Sequence, residues 1–232
     1  MAYEACRLAL KYMTPVMLLS DGYITNCSGP WKIVDPAELP EITNHLITET
    51  NNPDGAYLPY KRDAETMART WAIPGTPGLE HRIGGLEKEA LTGAVNYDGE
   101  NHELMIKARE AKVAGMVKDI PLLEVDGDAS GELLIVGWGG TEGTLIETTR
   151  QARQQGIKVS RIHLHYINPF PANLGEILKS FKKVLVPEIN RGQLRRMIRD
   201  QYLVDAQGLN VTTGQPLRVN TVLEHVKSLL GA

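Results

Sequence analysis

The stretch that decides the fold is Leu133-Leu134-Ile135-Val136-Gly137-Trp138-Gly139-Gly140-Thr141-Glu142-Gly143. Four consecutive apolar residues read as a strand covered on both faces, as in a parallel sheet. The glycines turn the chain. A helix is expected from about Thr144 to Gln155, with Gly156 placed as its C′ residue. Lys158 to His165 reads as a second strand. Asn168-Pro169-Phe170-Pro171 breaks the chain, and Asn173 is placed to cap the next helix. In that helix Leu174, Ile177, Leu178 and Phe181 fall at i, i+3, i+4 and i+7 on one face. Val184-Leu185-Val186 is a third strand, and Pro187-Glu188-Ile189-Asn190-Arg191-Gly192 is its exit loop. A helix from Gln193 to Leu203 turns Leu194, Met197 and Ile198 inward. A last strand near Leu217 to Val219 leads to a helix capped by Asn220, with Val222, Leu223, Val226 and Leu230 inward. Repeated units of this kind define an α/β domain over residues 131–232. An open parallel sheet with helices on both faces and right-handed crossovers is expected.

Upstream, the pattern changes. Tyr3 to Met13 is apolar at 5, 6, 9, 10 and 13, which predicts a largely buried helix stopped by Thr14-Pro15. Val16-Met17-Leu18-Leu19 predicts a short covered strand, turned by Ser20-Asp21-Gly22. One helix and one strand cannot cover a sheet, so residues 1–34 read as the remnant of a further α/β domain. Residues 35–130 read as a connector arm. Pro36, Pro40, Pro53, Pro59, Pro74 and Pro77, with Gly75, Gly78, Gly84 and Gly85, predict turns and extended chain. One helix is expected within it, from about Glu100 to Lys118. The arm either spans two domains or closes over a neighbouring subunit.

Composition bounds the function. The 232 residues carry 25 Lys and Arg against 28 Asp and Glu, a formal net charge of −3. That balance argues against a general nucleic-acid binder, which needs a basic face. No apolar run approaches the ~20 residues of a membrane-spanning helix, and the N-terminus has no signal-peptide pattern, so a cytoplasmic protein is expected. Cys6 and Cys27 are far apart and cannot ligate an iron–sulfur cluster or structural zinc by themselves. Any cluster would sit on a partner.

In open parallel sheets ligands lie beyond the carboxyl ends of the strands. Three loops reach that rim: Gly137 to Gly143, His165 to Pro171, and Pro187 to Gly192. Gly139, Gly140, Thr141 and Gly143 precede one helix and Asn190, Gly192 and Gln193 another, so these residues are the candidates for holding an anion. The plainer reading is a tight strand-to-helix turn. The glycine spacing departs from Gly-x-Gly-x-x-Gly, no acidic residue ends the second strand, and there is no P-loop lysine. His163 and His165 share one strand face, but no third metal ligand lies nearby in sequence. Arg191, Arg195 and Arg199, with Arg196, form a basic stripe. It reads first as a solvated face and otherwise as a docking surface for an acidic partner or a phosphate. There is no nucleophile elbow and no cysteine with an activating neighbour. No catalytic residue and no metal ligand is assigned from the residues alone.

Several stretches, in order, resemble one family. They are Thr14 to Tyr23 (TPVMLLSDGY), Tyr57 to Asp63 (YLPYKRD), Ile73 to Glu87 (IPGTPGLEHRIGGLE), Asn168-Pro169-Phe170-Pro171 and Gly192-Gln193-Leu194. Together they resemble the C-terminal part of the alpha subunit of 2-oxoacid:ferredoxin oxidoreductases, in the 2-oxoglutarate branch. The resemblance implies a transketolase C-terminal-like domain at 131–232, preceded by the arm and by a remnant of the pyrimidine-binding domain. It implies an enzyme that decarboxylates a 2-oxo acid on thiamine diphosphate, reduces ferredoxin through an iron–sulfur cluster and forms an acyl-CoA. In such enzymes the diphosphate and the cluster belong to a beta subunit, so a beta subunit and, through the complex, ferredoxin are the expected partners, in an oligomer. The family's Tyr-Pro-Ile-Thr-Pro motif and its activating glutamate have no counterpart in this sequence, and Thr70 stands where the family has Pro before Trp71. An isolated chain without activity is therefore expected, serving assembly and architecture. The competing expectation is a stand-alone α/β module that binds a nucleotide or CoA-like anion at the rim.

Overall fold

The structure, a computed structural model, describes residues 1–42 and 44–231. The chain divides into two compact units, residues 1–18 with 31–118 and residues 19–30 with 119–232. Residues 1–34, expected as a single remnant, are thus shared between them.

The second unit is built on four strands: β3 (Gly131–Trp138), β4 (Ser160–Leu164), β5 (Phe181–Glu188) and β6 (Ala206–Asn210). They pair in the order β4-β3-β5-β6, and every pairing is parallel. Alternation along β3 sends its four apolar residues to opposite faces. Leu134 and Val136 join Ile162, Val184 and Val186 under helices α5 (Leu174–Lys179) and α6 (Gln193–Tyr202). Leu133 and Ile135 join Leu185 under α4 (Glu142–Gln154) and α7 (Val219–Leu230). All four residues of the run are 0 % exposed, which is why the sequence there is apolar without interruption. Burying each such side chain contributes roughly 1.5–3 kcal/mol. Gly156 adopts φ 77° just beyond α4, as its position in the sequence predicts.

The first unit has a different character. It holds α1 (Ala2–Tyr12), a two-residue parallel pairing of β1 (Leu46–Ile47) with β2 (Trp71–Ala72), and α3 (Gly99–Gly115). The rest is turns and extended chain. Side-chain hydrogen bonds stand in for a sheet: Asn51 binds the backbone of Leu58 at both its donor and its acceptor. The buried Lys88 ammonium donates to the carbonyls of Gly84 (3.1 Å) and Leu86 (2.6 Å). The buried apolar side chains of this unit include Leu8, Tyr12, Pro59, Ala68, Leu79, Met105 and Met116. Most of the large apolar side chains left exposed also belong to it, including Met17 (81 %), Trp31 (82 %), Ile33, Ile83 (86 %) and Tyr97.

Several expected elements differ. Val16–Leu19 has no strand partner among the described residues; Met17, Leu18 and Leu19 are exposed and Val16 is half-buried. Ala5, Cys6, Ala9, Leu10 and Met13 are not buried; α1 buries Leu8 and Tyr12 instead. Asn173 stands at the start of α5 without capping it, because its amide pairs with the backbone of Leu123 at 3.0 and 2.9 Å. Phe181 opens β5 rather than closing α5, and Met197 is exposed. The last strand is β6 at 206–210, not 217–219. Leu217 is a core side chain on a loop, and α7 begins at Val219, with Asn220 inside it.

Candidate functional site

Strands β3 and β5 are neighbours, yet the helices that follow them lie on opposite faces of the sheet. The chain therefore leaves the sheet in opposite directions at this point, the topological switch point of the sheet, where the rule for open sheets puts a crevice at the strands' carboxyl ends. This is the place where open α/β sheets hold ligands. The loops that border it are Gly137–Gly143 and Glu188–Gln193, so the structure brings the two candidate anion sites of the sequence to one rim.

Five of the backbone donors there, Gly140, Gly192, Gln193, Leu194 and Arg195, already have side-chain acceptors. At the second loop Asn190 Oδ1 accepts from the amides of Gly192 (2.8 Å) and Gln193 (2.9 Å). The next two amides of α6 are held by Glu188. Leu194 N–H donates to Oε1 at 2.9 Å and Arg195 N–H to Oε2 at 3.2 Å. Asn190 Nδ2 also donates to Glu188 Oε1 (3.1 Å), so the two side chains fix each other. Glu188 is 0 % exposed. Its carboxylate lies where an external anion would meet the positive end of the helix, and the helix dipole and amides stabilise its charge.

The glycine loop is closed in the same way from another part of the chain. Asp21 Oδ2 accepts from Gly140 N–H at 2.7 Å, while Oδ1 caps the short helix α2 (Gly22–Asn26) by accepting from Ile24 N–H. A Cβ on Gly140 would collide with this carboxylate, so glycine is required for its approach. Thr141 is buried and turned back on the loop. Its hydroxyl donates to Trp138 O (2.8 Å) and accepts from Trp138 N–H (3.2 Å). Gly139 carries φ 56°, and Gly143 faces open space. Both anion positions at the crevice are thus held by the protein's own carboxylates, Asp21 and Glu188. Sequence reading passed over both residues. The available signals were an acid closing the apolar strand Val184–Pro187, and an Asp-Gly following an apolar run.

A cavity of about 450 Å³ opens at the edge of β4, lined by Leu123, Glu142, Arg161, His163, His165 and Tyr166. The His163 and His165 rings share a face, 5.1 Å apart and edge to face. Burial holds the His163 imidazole below its ordinary pKa; Glu142 partly offsets this, and His165 and Arg161 add to it. Burial pushes the Asp126 carboxyl up, but Arg153 and Arg161 together carry it below its ordinary value. Among the described residues no three His, Cys, Asp or Glu side chains are placed to hold a metal ion. The two cysteines, Cys6 and Cys27, are free and exposed. No helix among them is long and apolar enough to cross a membrane. The amides of Gly140, Gly192, Gln193, Leu194 and Arg195, bound by Asp21, Asn190 and Glu188, are not free to hold the phosphates of a thiamine diphosphate.

On the basic stripe, Arg199 pairs with Asp205, whereas Arg191, Arg195 and Arg196 form no ion pair among the described residues.

Residues 131–222 match the sequence profile of pyruvate:ferredoxin oxidoreductase core domain II. At 48 % identity, 99 % of the chain aligns with 34 % of the 2-oxoglutarate oxidoreductase subunit KorA of Mycobacterium tuberculosis. At 32 % identity, 82 % of the chain aligns with 49 % of the 2-oxoglutarate synthase subunit KorA of Methanocaldococcus jannaschii. At 30 % identity and a TM-score of 0.83, 97 % of the chain superposes on 39 % of a chain of the 2-oxoglutarate:ferredoxin oxidoreductase from Magnetococcus marinus, solved with 2-oxoglutarate, coenzyme A and succinyl-CoA bound. The chain spans between about a third and a half of the length of these relatives.

Proposed function

We propose that this chain, a relative of the alpha subunits of 2-oxoglutarate:ferredoxin oxidoreductases, is the assembly-forming portion of such a subunit. The enzyme it serves decarboxylates 2-oxoglutarate oxidatively to succinyl-CoA and passes the electrons to ferredoxin. Residues 131–232 are its transketolase C-terminal-like domain, 35–130 its connector arm and 1–34 part of the pyrimidine-binding domain. A beta subunit carries the thiamine diphosphate and the iron–sulfur cluster, and ferredoxin meets the complex there. The complex is an oligomer in the cytoplasm.

The observation that carries this reading is the arm. It exposes Ile73, Ile83, Leu86 and Tyr97, and Trp31 and Ile33 stand open just before it, while it buries few apolar residues of its own. Apolar surface left open in this way marks an interaction site. The arm is also part of the likeness, since the alignment at 48 % identity runs through it as well as through the sheet. The rim agrees, because the amides of Gly140, Leu194 and Arg195 are taken by Asp21 and Glu188 and are not free for a diphosphate.

The test combines binding and turnover. The chain should bind a beta subunit of the family in a defined stoichiometry. With thiamine diphosphate, 2-oxoglutarate and CoA added, the mixture should reduce no acceptor, because this chain contributes no catalytic residue. Measurable turnover refutes the catalytic part of the proposal, and absence of binding refutes the assembly part.

A further inference from the structure

The cavity at the edge of β4 is built from fixed walls. Residues 121–126 run beside the strand and are pinned at two points. Asp126 and Arg161 exchange backbone hydrogen bonds of 3.0 Å each. The Asn173 amide holds Leu123 at 3.0 and 2.9 Å. The space of about 450 Å³ stands between this segment and the carboxyl end of β4. Leu123, Val125 and Pro171 give it apolar walls, and Glu142, His163 and His165 supply polar atoms. Gly137 lets the His163 ring settle beside β3, since a Cβ there would stand 3.1 Å from Nδ1. The two imidazoles lie 5.1 Å apart with their planes at 65°, so the edge of one meets the face of the other. None of these three side chains makes a hydrogen bond or an ion pair among the described residues. Half-buried polar groups such as Glu142 and His163 ordinarily find partners. What they offer is mainly acceptors: a carboxylate and imidazole nitrogens. The guanidinium on the lining, that of Arg161, is paired with Asp126 at 2.8 Å. Burial keeps His163 uncharged at neutral pH. The lining therefore has no spare cation for a phosphate or carboxylate, and it suits a ligand that donates hydrogen bonds.

We propose that this cavity binds a small flat nitrogen heterocycle carrying an exocyclic amino group, of the aminopurine class. Preformed pockets with apolar walls and a few convergent polar groups are the usual form of a small-molecule site. The amino group donates to the Glu142 carboxylate, a charge-assisted hydrogen bond. The ring lies against the imidazoles and the apolar wall, which offer both a face and an edge for aromatic contact. A phosphate carried by such a ligand gains nothing here and projects away from the lining. Affinity is therefore set by the base, and salt has little effect on it. This site is independent of the assembly role: its failure leaves that role intact, and the reverse also holds.

The experiment is a titration of the whole chain with adenosine, following the imidazole resonances of His163 and His165 by NMR and the affinity by calorimetry. Saturable shifts of both rings are expected. Inosine, which carries an oxygen in place of the amino group, should bind at least fivefold more weakly. Glu142→Ala and His165→Ala truncate side chains that no hydrogen bond or ion pair ties to the fold, and each should weaken adenosine at least fivefold with an unchanged circular dichroism spectrum. Arg196→Ala, on a distant helix, should change affinity less than twofold. Adenosine monophosphate should bind within threefold of adenosine. No saturable shift with adenosine overturns the proposal. So does equal affinity for inosine, or adenosine affinity unchanged in both Glu142→Ala and His165→Ala. Binding of the monophosphate more than tenfold tighter than adenosine also overturns it, because a cation would then carry the affinity.

Discussion

Glu188→Ala is the perturbation that probes the crevice most sharply. The substitution strips the acceptor from two amides in the first turn of α6, Leu194 and Arg195, and frees the Asn190 amide. An amide left unsatisfied in a buried place costs about 1–3 kcal/mol. Loss of the negative charge at the helix N-terminus adds about 0.3–1 kcal/mol. Against this stands relief from holding a carboxylate out of water, and water can enter the space left behind. The net destabilisation should be about 3 kcal/mol. With a urea dependence of about 2 kcal/mol per molar, the unfolding midpoint falls by about 1.5 M. Glu188→Gln keeps one oxygen acceptor and should lose about half as much. The assay is urea unfolding followed by far-ultraviolet circular dichroism. Formate supplies a second readout: it should restore part of the stability of Glu188→Ala and do little for the native chain, since only the variant has an empty acceptor position. A loss under ~0.5 kcal/mol, or no difference in the response to formate, refutes the account of the closed crevice.

Other consequences follow from the same geometry. Gly140→Ala displaces the Asp21 carboxylate from the glycine loop, so residues 20–26 should exchange amide hydrogens faster, and Asp21→Ala should lose about 1 kcal/mol with the cap of α2. Leu134→Ala opens a cavity in a fully buried layer of the sheet and should cost about 2–5 kcal/mol in thermal or urea unfolding. The folded chain disfavours protonated His163, so the unfolded chain binds more protons below the ordinary histidine pKa. Stability should therefore decline as pH falls from about 7 toward 5, and His163→Asn should flatten that slope; an imidazole titration at or above the ordinary value contradicts this. Burial, with Arg69 and Arg62 adding to it, lowers the Lys112 ammonium to about 8, so its NMR titration should fall near that pH rather than near 10.

The parts of the fold that could be read from sequence are those governed by neighbours in the chain. Leu133–Val136 announces a strand covered on both sides because both of its faces are buried. Gly156 marks the end of α4 because the left-handed conformation there favours glycine. Val16–Leu19 carries the same apolar signal, yet no strand pairs with it; pairing is a property of the rest of the molecule. β6 was missed because Ala206-Gln207-Gly208-Leu209-Asn210 has neither β-branched residues nor an apolar run, and parallel pairing with β5 decides its state. Leu217 signals burial correctly, but burial alone does not distinguish a strand from a loop over a core.

The crevice was legible as a place and illegible as a state. Glycine and asparagine at 139–143 and 190–193 point to tight turns before helices, and both turns are present. Their occupation by carboxylates is a long-range fact in one case, since Asp21 reaches Gly140 across 119 positions of sequence. In the other case it depends on β5 running two residues beyond its apolar core, which places Glu188 inside the protein rather than in an exit loop.

The most direct test of the central claim is hydrogen exchange of the chain alone and in complex with a beta subunit of the family. Slowed exchange is expected over residues 83–97 of the arm and over 31–34 just before it, where apolar side chains stand open, with the strands of the sheet unchanged. A complex that forms with those segments exchanging as in the free chain, or a chain that remains monodisperse and binds no beta subunit, would contradict the assignment of the arm to subunit assembly.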